Sequence, residues 1–250
     1  MGNIFKNNRI IHLDEVDSTN SFVNSKYPGR SLPEGSVIWA NNQKKGKGTG
    51  QNKWHSEAGK NLTCSIVLYP EFLSPDKQFY ISKALSLAVA DLVGLYTDKV
   101  SIKWPNDIYV GDKKIAGLLI EHTIERNQIK STIAGIGINV NQKVFPESLP
   151  NPISLAKATK QSFELEELVV TLSDLIEYRY SLLKDGELEM LDENYLDLLY
   201  RYKKVSLYEI KGKRFAGSIE GVDPTGELVI KNEKSEYLHF GYKEVEYVIG

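Results

Sequence analysis

Residues 41–61, NNQKKGKGTGQNKWHSEAGKN, hold four glycines, several lysines and amides and one tryptophan, with neither the 3.6-residue nor the two-residue apolar period. A run of that length without regular structure is unusual inside a compact domain and tends to carry function. Apolar runs flank it, SVIWA at 36–40 and LTCSIVLY at 62–69, and both read as strands. Residues 41–61 therefore read as a long loop between two strands, of the kind that is functional or mobile.

The remaining chain supplies the sheet and its cover. Residues 9–13 read as a strand. The polar segment EVDSTN follows, in which Asp17 or Ser18 can cap a helix reaching Lys26. Phe79, Leu85, Ala88, Val89, Leu92 and Val93 recur at helical spacing within 75–96. SIKW is a short strand ahead of PNDI. Residues 113–123 and 129–140 predict a hairpin around ERNQ, residues 142–158 a proline-containing loop, and 164–184 and 187–200 two helices separated by Gly186. From Lys203 the character changes to short β runs divided by KG, DPTG and NEK turns, the signature of a small barrel or sheet. The expectation is an α+β fold with a mixed, mostly antiparallel sheet, divided into a main domain, 1–202, and a small C-terminal β-barrel module, 203–250.

Composition narrows the function classes. The 250 residues carry 31 basic and 33 acidic side chains, a net charge of -2 that gives no general attraction to nucleic acid, so no DNA partner is expected. No run approaches a membrane span and the N-terminus lacks a signal-peptide core, so neither a membrane nor secretion is expected. Lys6 stands where a myristoylation signal needs Ser or Thr. The single cysteine, Cys64, cannot form an intrachain disulfide and sits in an apolar strand pattern, which suits a packed residue in the cytoplasm. His12, His55, His122 and His239 show no zinc-ligand spacing.

Four motifs carry candidate chemistry. In Gly46-Lys47-Gly48-Thr49-Gly50 alternate glycines let a backbone pass close to a ligand and offer N–H groups to an anion, while Lys44, Lys45, Lys47 and Lys53 add positive charge. It fits neither the Walker nor the dinucleotide glycine pattern. The bland alternative is a solvated surface turn, with Trp54 as its anchor. In Lys103-Trp104-Pro105-Asn106-Asp107 the proline stops a strand and presents an amide and a carboxylate, which suit a base edge or magnesium, or simply a β-turn. Lys114 stands at the mouth of the apolar run 115–120, where it either reaches a substrate carboxylate and an α-phosphate together or is an ordinary surface lysine. In Gly135-Ile136-Gly137-Ile138-Asn139 two glycines in a strand mark a close approach by a ligand or by a packed helix. Asp17-Ser18-Thr19-Asn20 reads as a helix cap or as a polar pocket rim.

Taken together and in order, these motifs resemble the biotin–protein ligases. That family shows a DSTN-type segment, a glycine- and arginine-rich loop ending in tryptophan, a KWPND box, a lysine segment of the RKLAG type and a GIGIN strand. The resemblance runs from about residue 9 to 141, and less specifically to the C-terminus. It implies a class II synthetase-like catalytic domain that activates biotin with ATP and transfers it to a lysine of a biotin carboxyl carrier protein. Carried over residue by residue, Ser18, Thr19, Asn20, Gln43, Lys47, Gly48, Thr49, Lys114 and Gly117 would bind biotin. Gly46, Gly50, Asn52, Trp54, Asn106 and Asn139 would bind ATP or the adenylate. Lys114, Lys47 and Asp107 would be catalytic, with Asp107 holding magnesium.

Two departures stand out. Lys47 and Thr49 occupy places where the family often has arginine; lysine keeps the charge without the bidentate fork, and threonine keeps neither. No helix-turn-helix repressor unit precedes the first strand, so a ligase without DNA binding is expected. Pairing of two copies through strand edges is left open. The rival readings are a lipoate or octanoate ligase of the same superfamily and a non-enzymatic nucleotide-binding regulator.

Overall fold

The computed structural model describes Phe5, residues 8–50 and residues 52–248. Lys6, at the position a lipidation signal would need, and Gln51 of the glycine loop lie outside the described residues. In chain order the first part comprises β1 (Ile10–Val16), α1 (Thr19–Lys26), β2 (Val37–Gln43), β3 (Leu62–Leu68), α2 (Phe79–Gly94), β4 (Val100–Lys103), β5 (Asp107–Val110), β6 (Lys113–Glu125), β7 (Gln128–Ile138), α3 (Leu155–Thr159), α4 (Leu165–Lys184) and α5 (Leu188–Asp197). Its strands form one seven-stranded sheet in the order β1-β2-β3-β7-β6-β5-β4. β1 and β2 are parallel, joined across α1, and every other pairing is antiparallel.

Alternation along the central strands decides which face does what. In β3, Leu62, Cys64, Ile66 and Leu68 join the main core together with Ala134, Ile136 and Ile138 of β7, under α2 and α4. Helix α2 is buried nearly all round because it lies between the sheet and α4. The intervening Val67 and Ile133 belong to a second, smaller cluster with Val23 of α1 and Ile38. The sheet therefore has a thickly covered face and a face covered only at one end, and the open part of that second face is where a ligand can lie.

Beyond α5 come β8 (Val205–Ile210), β9 (Lys213–Val222), β10 (Leu228–Asn232), β11 (Tyr237–Phe240) and β12 (Glu246–Tyr247), an antiparallel five-stranded sheet ordered β11-β10-β9-β8-β12. The change of character at Lys203 thus falls between two sheets, but not between two cores. Tyr208, Ile219, Leu228, Ile230, Phe240 and Val245 belong to the same buried cluster as α2 and α4. The β9–β10 turn is clasped to the first part: the Trp104 indole N–H donates to the Gly226 carbonyl at 2.9 Å. Gly226 has φ +96°, and a Cβ there would lie 2.7 Å from the Phe79 ring, so only glycine fits this contact.

Several expectations shift. β1 runs on to Val16 through what reads as a polar loop, because its edge position tolerates charged side chains. Asp107–Val110, four residues long, is a strand that its length hides. A short helix, α3, sits inside the proline-containing loop, capped by the Ser154 hydroxyl. α5 ends at Asp197 rather than 200. Among the described residues no helix is long and apolar enough to cross a membrane.

Candidate active site

Rows of cross-strand partners make the floor. Gly117 of β6 lies opposite Gly137 of β7, and Gly137 opposite Thr63 of β3; in the next row stand Leu119, Gly135 and Ser65. A side chain lies over each of the three glycines. A Cβ on Gly135 would come 2.7 Å from Asn20 Oδ1, one on Gly137 2.4 Å from the Trp54 ring, and one on Gly117 3.1 Å from Lys114. The two glycines of β7 thus mark the close approach of one side chain from α1 and one from the glycine loop, rather than of a packed helix backbone.

At one end of this floor the polar groups satisfy one another. Asn20 donates to the Glu121 carboxylate at 2.7 Å and to the Leu119 carbonyl at 3.3 Å. The Ser65 hydroxyl lies 2.5 Å from Asn20 Oδ1 and 2.7 Å from Thr19 Oγ1. The Thr19 N–H and hydroxyl both donate to Gln43 Oε1, at 2.8 and 3.2 Å. Ser18, Thr19, Asn20 and Ser65 are all buried, and a buried network satisfied this way holds its members in one orientation. Ser18 takes the N-cap backbone position of α1, yet its hydroxyl makes no capping bond. Ser18 lines the cleft instead, with Asn20, Gln43 and Lys47.

At the other end the cleft turns cationic. Lys114 Nζ pairs with Asp107 Oδ1 at 2.6 Å, and lies 5.7 Å from the centre of the Trp54 ring. The Trp54 indole N–H is buried without a hydrogen-bond partner, an unused donor in the wall of the cleft. Below them Lys103 stacks over Tyr247 of the second sheet at 4.6 Å. Burial lowers the Lys103 pKa and Asp107 opposes the shift, while Lys114 and Arg201 add to it. Asn106 and Asn139 spend their amide N–H groups on the Leu118 and Ile153 carbonyls, at 2.7 and 3.0 Å, so they pin the strand ends that frame the cleft. An outer concavity continues past Asn52, Asn106 and Asp107 to Lys243 and Glu246 of the second sheet.

The glycine loop differs most from its sequence reading. It is a small hairpin: Trp54 N–H donates to Gly46 O at 2.9 Å and Gly48 N–H to Asn52 O at 2.8 Å, with Lys47 bridged to Lys53. The Gly48 N–H is therefore spent inside the loop and is not free for an anion. Gly46 serves the hairpin, since a Cβ there would lie 2.5 Å from the Trp54 carbonyl oxygen. Gly48 and Thr49 line the inner cleft, whereas Gly46 and Gly50 do not. Lys44 and Lys45 are tied to Glu15 and Asp17, at 2.5 and 2.8 Å, on the exposed side. The loop's charge thus reaches the cleft through Lys47 and, farther out, Lys53.

Sequence reasoning missed Ser65 and Glu121. The signal for Ser65 was present, because Thr63 and Ser65 alternate with Leu62, Cys64 and Ile66 and so must share the face opposite the core. Burial pushes the Cys64 thiol up to about 12, which excludes a nucleophilic thiolate. His239, remote from the other histidines in sequence, lies 3.0 Å from Asp223 and 3.9 Å from Glu227 at the exposed β9–β10 turn, away from the cleft.

Over residues 13–141 the chain matches the biotin/lipoate A/B protein ligase family. It is 31% identical over 177 residues to the bifunctional ligase/repressor BirA of Bacillus subtilis, a stretch that covers 68% of this chain and 53% of that protein. The chain thus spans about half the length of that relative. It is 26% identical over 229 residues to the biotin–[acetyl-CoA-carboxylase] ligase of Paracoccus denitrificans, covering 88% of this chain and 92% of the other. Among solved structures, the biotin protein ligase from Aquifex aeolicus in complex with biotin and ATP shares the fold, with a TM-score of 0.80, 23% identity, and coverage of 96% of this chain and 99% of that one.

Proposed function

The chain belongs to the biotin/lipoate A/B protein ligase family, and from that premise we propose that it activates biotin with ATP and transfers the biotinyl group to a lysine of a biotin carboxyl carrier protein or domain. One observation carries this reading. A glycine-floored cleft joins an end of amide and hydroxyl groups at Thr19, Asn20, Gln43 and Ser65, bonded to one another, to a cationic end at Lys114. Biotin has the same polarity along its length, a neutral ureido ring at one end and a carboxylate at the other. The glycines at 117, 135 and 137 let Lys114, Asn20 and Trp54 lie close against the sheet, and these side chains line the stretch between the two ends.

The reaction follows from that placement. A biotin carboxylate oxygen attacks the α-phosphorus of ATP, a new P–O bond forms, and the bond to the bridging oxygen breaks so that pyrophosphate leaves with the electron pair. Two anions must meet, so the protein's contribution is position and positive charge. Lys114 would hold the carboxylate and stabilise charge growing on the α-phosphate, and Asp107 would hold Lys114 in place. Lys47, Gly48 and Thr49 would cover the adenylate, with Trp54 as a wall. Asn52 would stand farther out, while Gly46 and Gly50 shape the hairpin. In the second step the neutral amine of the acceptor lysine attacks the acyl carbon, AMP leaves with the electron pair, and the amine loses its proton.

Magnesium that arrives with ATP takes most of its ligands from phosphates and water and needs one or two protein carboxylates. Asp107 fits that demand: one oxygen pairs with Lys114, and the other makes no hydrogen bond among the described residues. Bound there, the ion would screen phosphate charge. The setting we propose is the cytoplasm, where ATP is abundant and Cys64 stays reduced.

The test is isotope exchange between pyrophosphate and ATP. Biotin-dependent exchange is the expected result. Exchange with lipoate or octanoate instead would move the protein to the other branch of its family, and exchange with none of the three would overturn the reading.

A further inference from the structure

The hairpin that covers the cleft is poor in available charge at its tip. The described tip residues Thr49, Gly50 and Asn52 are uncharged, Lys47 and Lys53 flank the tip, and Lys44 and Lys45 are held by Glu15 and Asp17 on the far side. A cation reaches that tip from elsewhere. Lys243, between β11 and β12 of the second sheet, sends its ammonium to within 2.8 Å of where a Cβ on Gly50 would stand. A side chain at residue 50 would displace it, so a glycine there suits its passage. The segment that carries it is a tight turn, closed by Glu244 N–H to Gly241 O at 3.2 Å and by Gly241 N–H to the Glu244 carboxylate at 2.8 Å. Glu244 is thereby spent on its own turn, and Lys243 makes no ion pair among the described residues. Its one recorded contact of this kind is with the neighbouring Tyr242 ring at 5.3 Å. Lys243 lines the outer concavity with Asn52, Lys103, Asn106, Asp107 and Glu246.

We propose that Lys243 is a phosphate-binding residue, which holds the β- and γ-phosphates of ATP, and the pyrophosphate they become, at the outer end of the cleft. The inference rests on the adenylating function proposed above. An exposed lysine without a carboxylate partner, beside a hairpin with no charge at its tip, is a point charge available to an anion. The position suits a leaving group rather than the bond being made. Lys114 stands on the floor beside Gly117, whereas Lys243 stands on the outer side of the hairpin at Gly50. The second sheet would then take part in ATP capture directly, in addition to sharing the core.

The test uses the full chain and the variants Lys243→Met, Lys243→Arg and Lys243→Glu. Wild type must first show biotin-dependent pyrophosphate exchange; its absence would sink the parent reading and leave Lys243 outside the question. With exchange established, Lys243→Met should raise the KM for ATP at least tenfold and leave the KM for biotin within twofold. Transfer from chemically prepared biotinyl-5'-AMP to an acceptor domain should also stay within twofold. Lys243→Arg should recover most of the ATP affinity and Lys243→Glu should fall below Lys243→Met, an order that charge predicts and side-chain bulk does not. An ATP KM within twofold of wild type in Lys243→Met would overturn the proposal. So would equal losses in adenylation and in transfer from the supplied adenylate, because a purely structural role lowers both.

Discussion

At the inner end of the cleft, Thr19, Asn20, Gln43 and Ser65 stand on a helix and two adjacent strands and bond one another at 2.5–3.2 Å. At the outer end, Lys47, Lys103, Lys114 and Lys243 come from four separate segments, and only Lys103 and Lys114 face a common carboxylate, Asp107. The contrast follows from what each end has to recognise. A neutral ring is distinguished by donors and acceptors placed within a few tenths of an ångström, which only packed, mutually bonded groups can hold. A polyphosphate is distinguished by charge, and charge acts over several ångströms in a partly desolvated cleft. Loops and a neighbouring sheet suffice for that, and the cations can be drawn from almost anywhere in the chain.

Substitutions should separate the two ends. The largest effect is expected for Lys114→Ala. Removing a charge from a developing anion costs roughly 2.7–4 kcal/mol, on the order of a hundredfold to a thousandfold in rate. Biotin binding without ATP should change far less. Adenylation within threefold of wild type, in a folded variant, would show that the cationic end is not where charge develops.

Next in size is Gly135→Ala. The new methyl would sit 2.7 Å from Asn20 Oδ1, so Asn20 must move and the bonds to Ser65 and Glu121 must loosen. Overpacking of this kind costs about 1–3 kcal/mol. It should appear as weaker biotin binding by titration calorimetry, together with a lower melting temperature. Unchanged biotin affinity would mean that the inner end tolerates movement and that the contrast drawn above is false.

A smaller effect is expected in the hairpin itself. Its recorded internal bonds are few, and ordering each residue costs roughly 1–2 kcal/mol of backbone entropy. Hydrogen exchange at the Gly48 and Trp54 amides should slow when biotin and ATP are added, while exchange along β3 stays as it was. Equal protection of both amides with and without substrates would make the hairpin as preformed as the floor.

The smallest change concerns Cys64, whose thiol burial pushes up to about 12. At pH 8 it should resist a thiol reagent for hours in the native state, with or without biotin, and react at once in denaturant. Rapid native-state labelling would show that the floor opens.

By itself the sequence determined the elements and the chemistry they carry. Two-residue alternation in LTCSIVLY puts Leu62, Cys64, Ile66 and Leu68 on one face of a strand and Thr63, Ser65 and Val67 on the other. The strand-ending Pro105 places Asn106 and Asp107 at a strand end, and the glycines of the 135–139 segment announce a close approach without saying by what. These are local properties, set by side-chain direction and backbone freedom, and they are readable from neighbours in the chain.

Tertiary structure decided which groups meet. Ser65 and Glu121 joined the site because register placed β3 and β6 on either side of β7. Lys44 and Lys45 left it because Glu15 and Asp17 hold their ammonium groups on the exposed side. Gly48 spent its N–H on Asn52, 2.8 Å away, and so cannot offer it to phosphate. The break at residue 203, legible as a change of pattern, proved to lie within one continuous core, with Trp104 bonded to Gly226 across it. Competition among partners that are distant in sequence settles each of these outcomes, and only the folded chain brings the competitors within reach of one another.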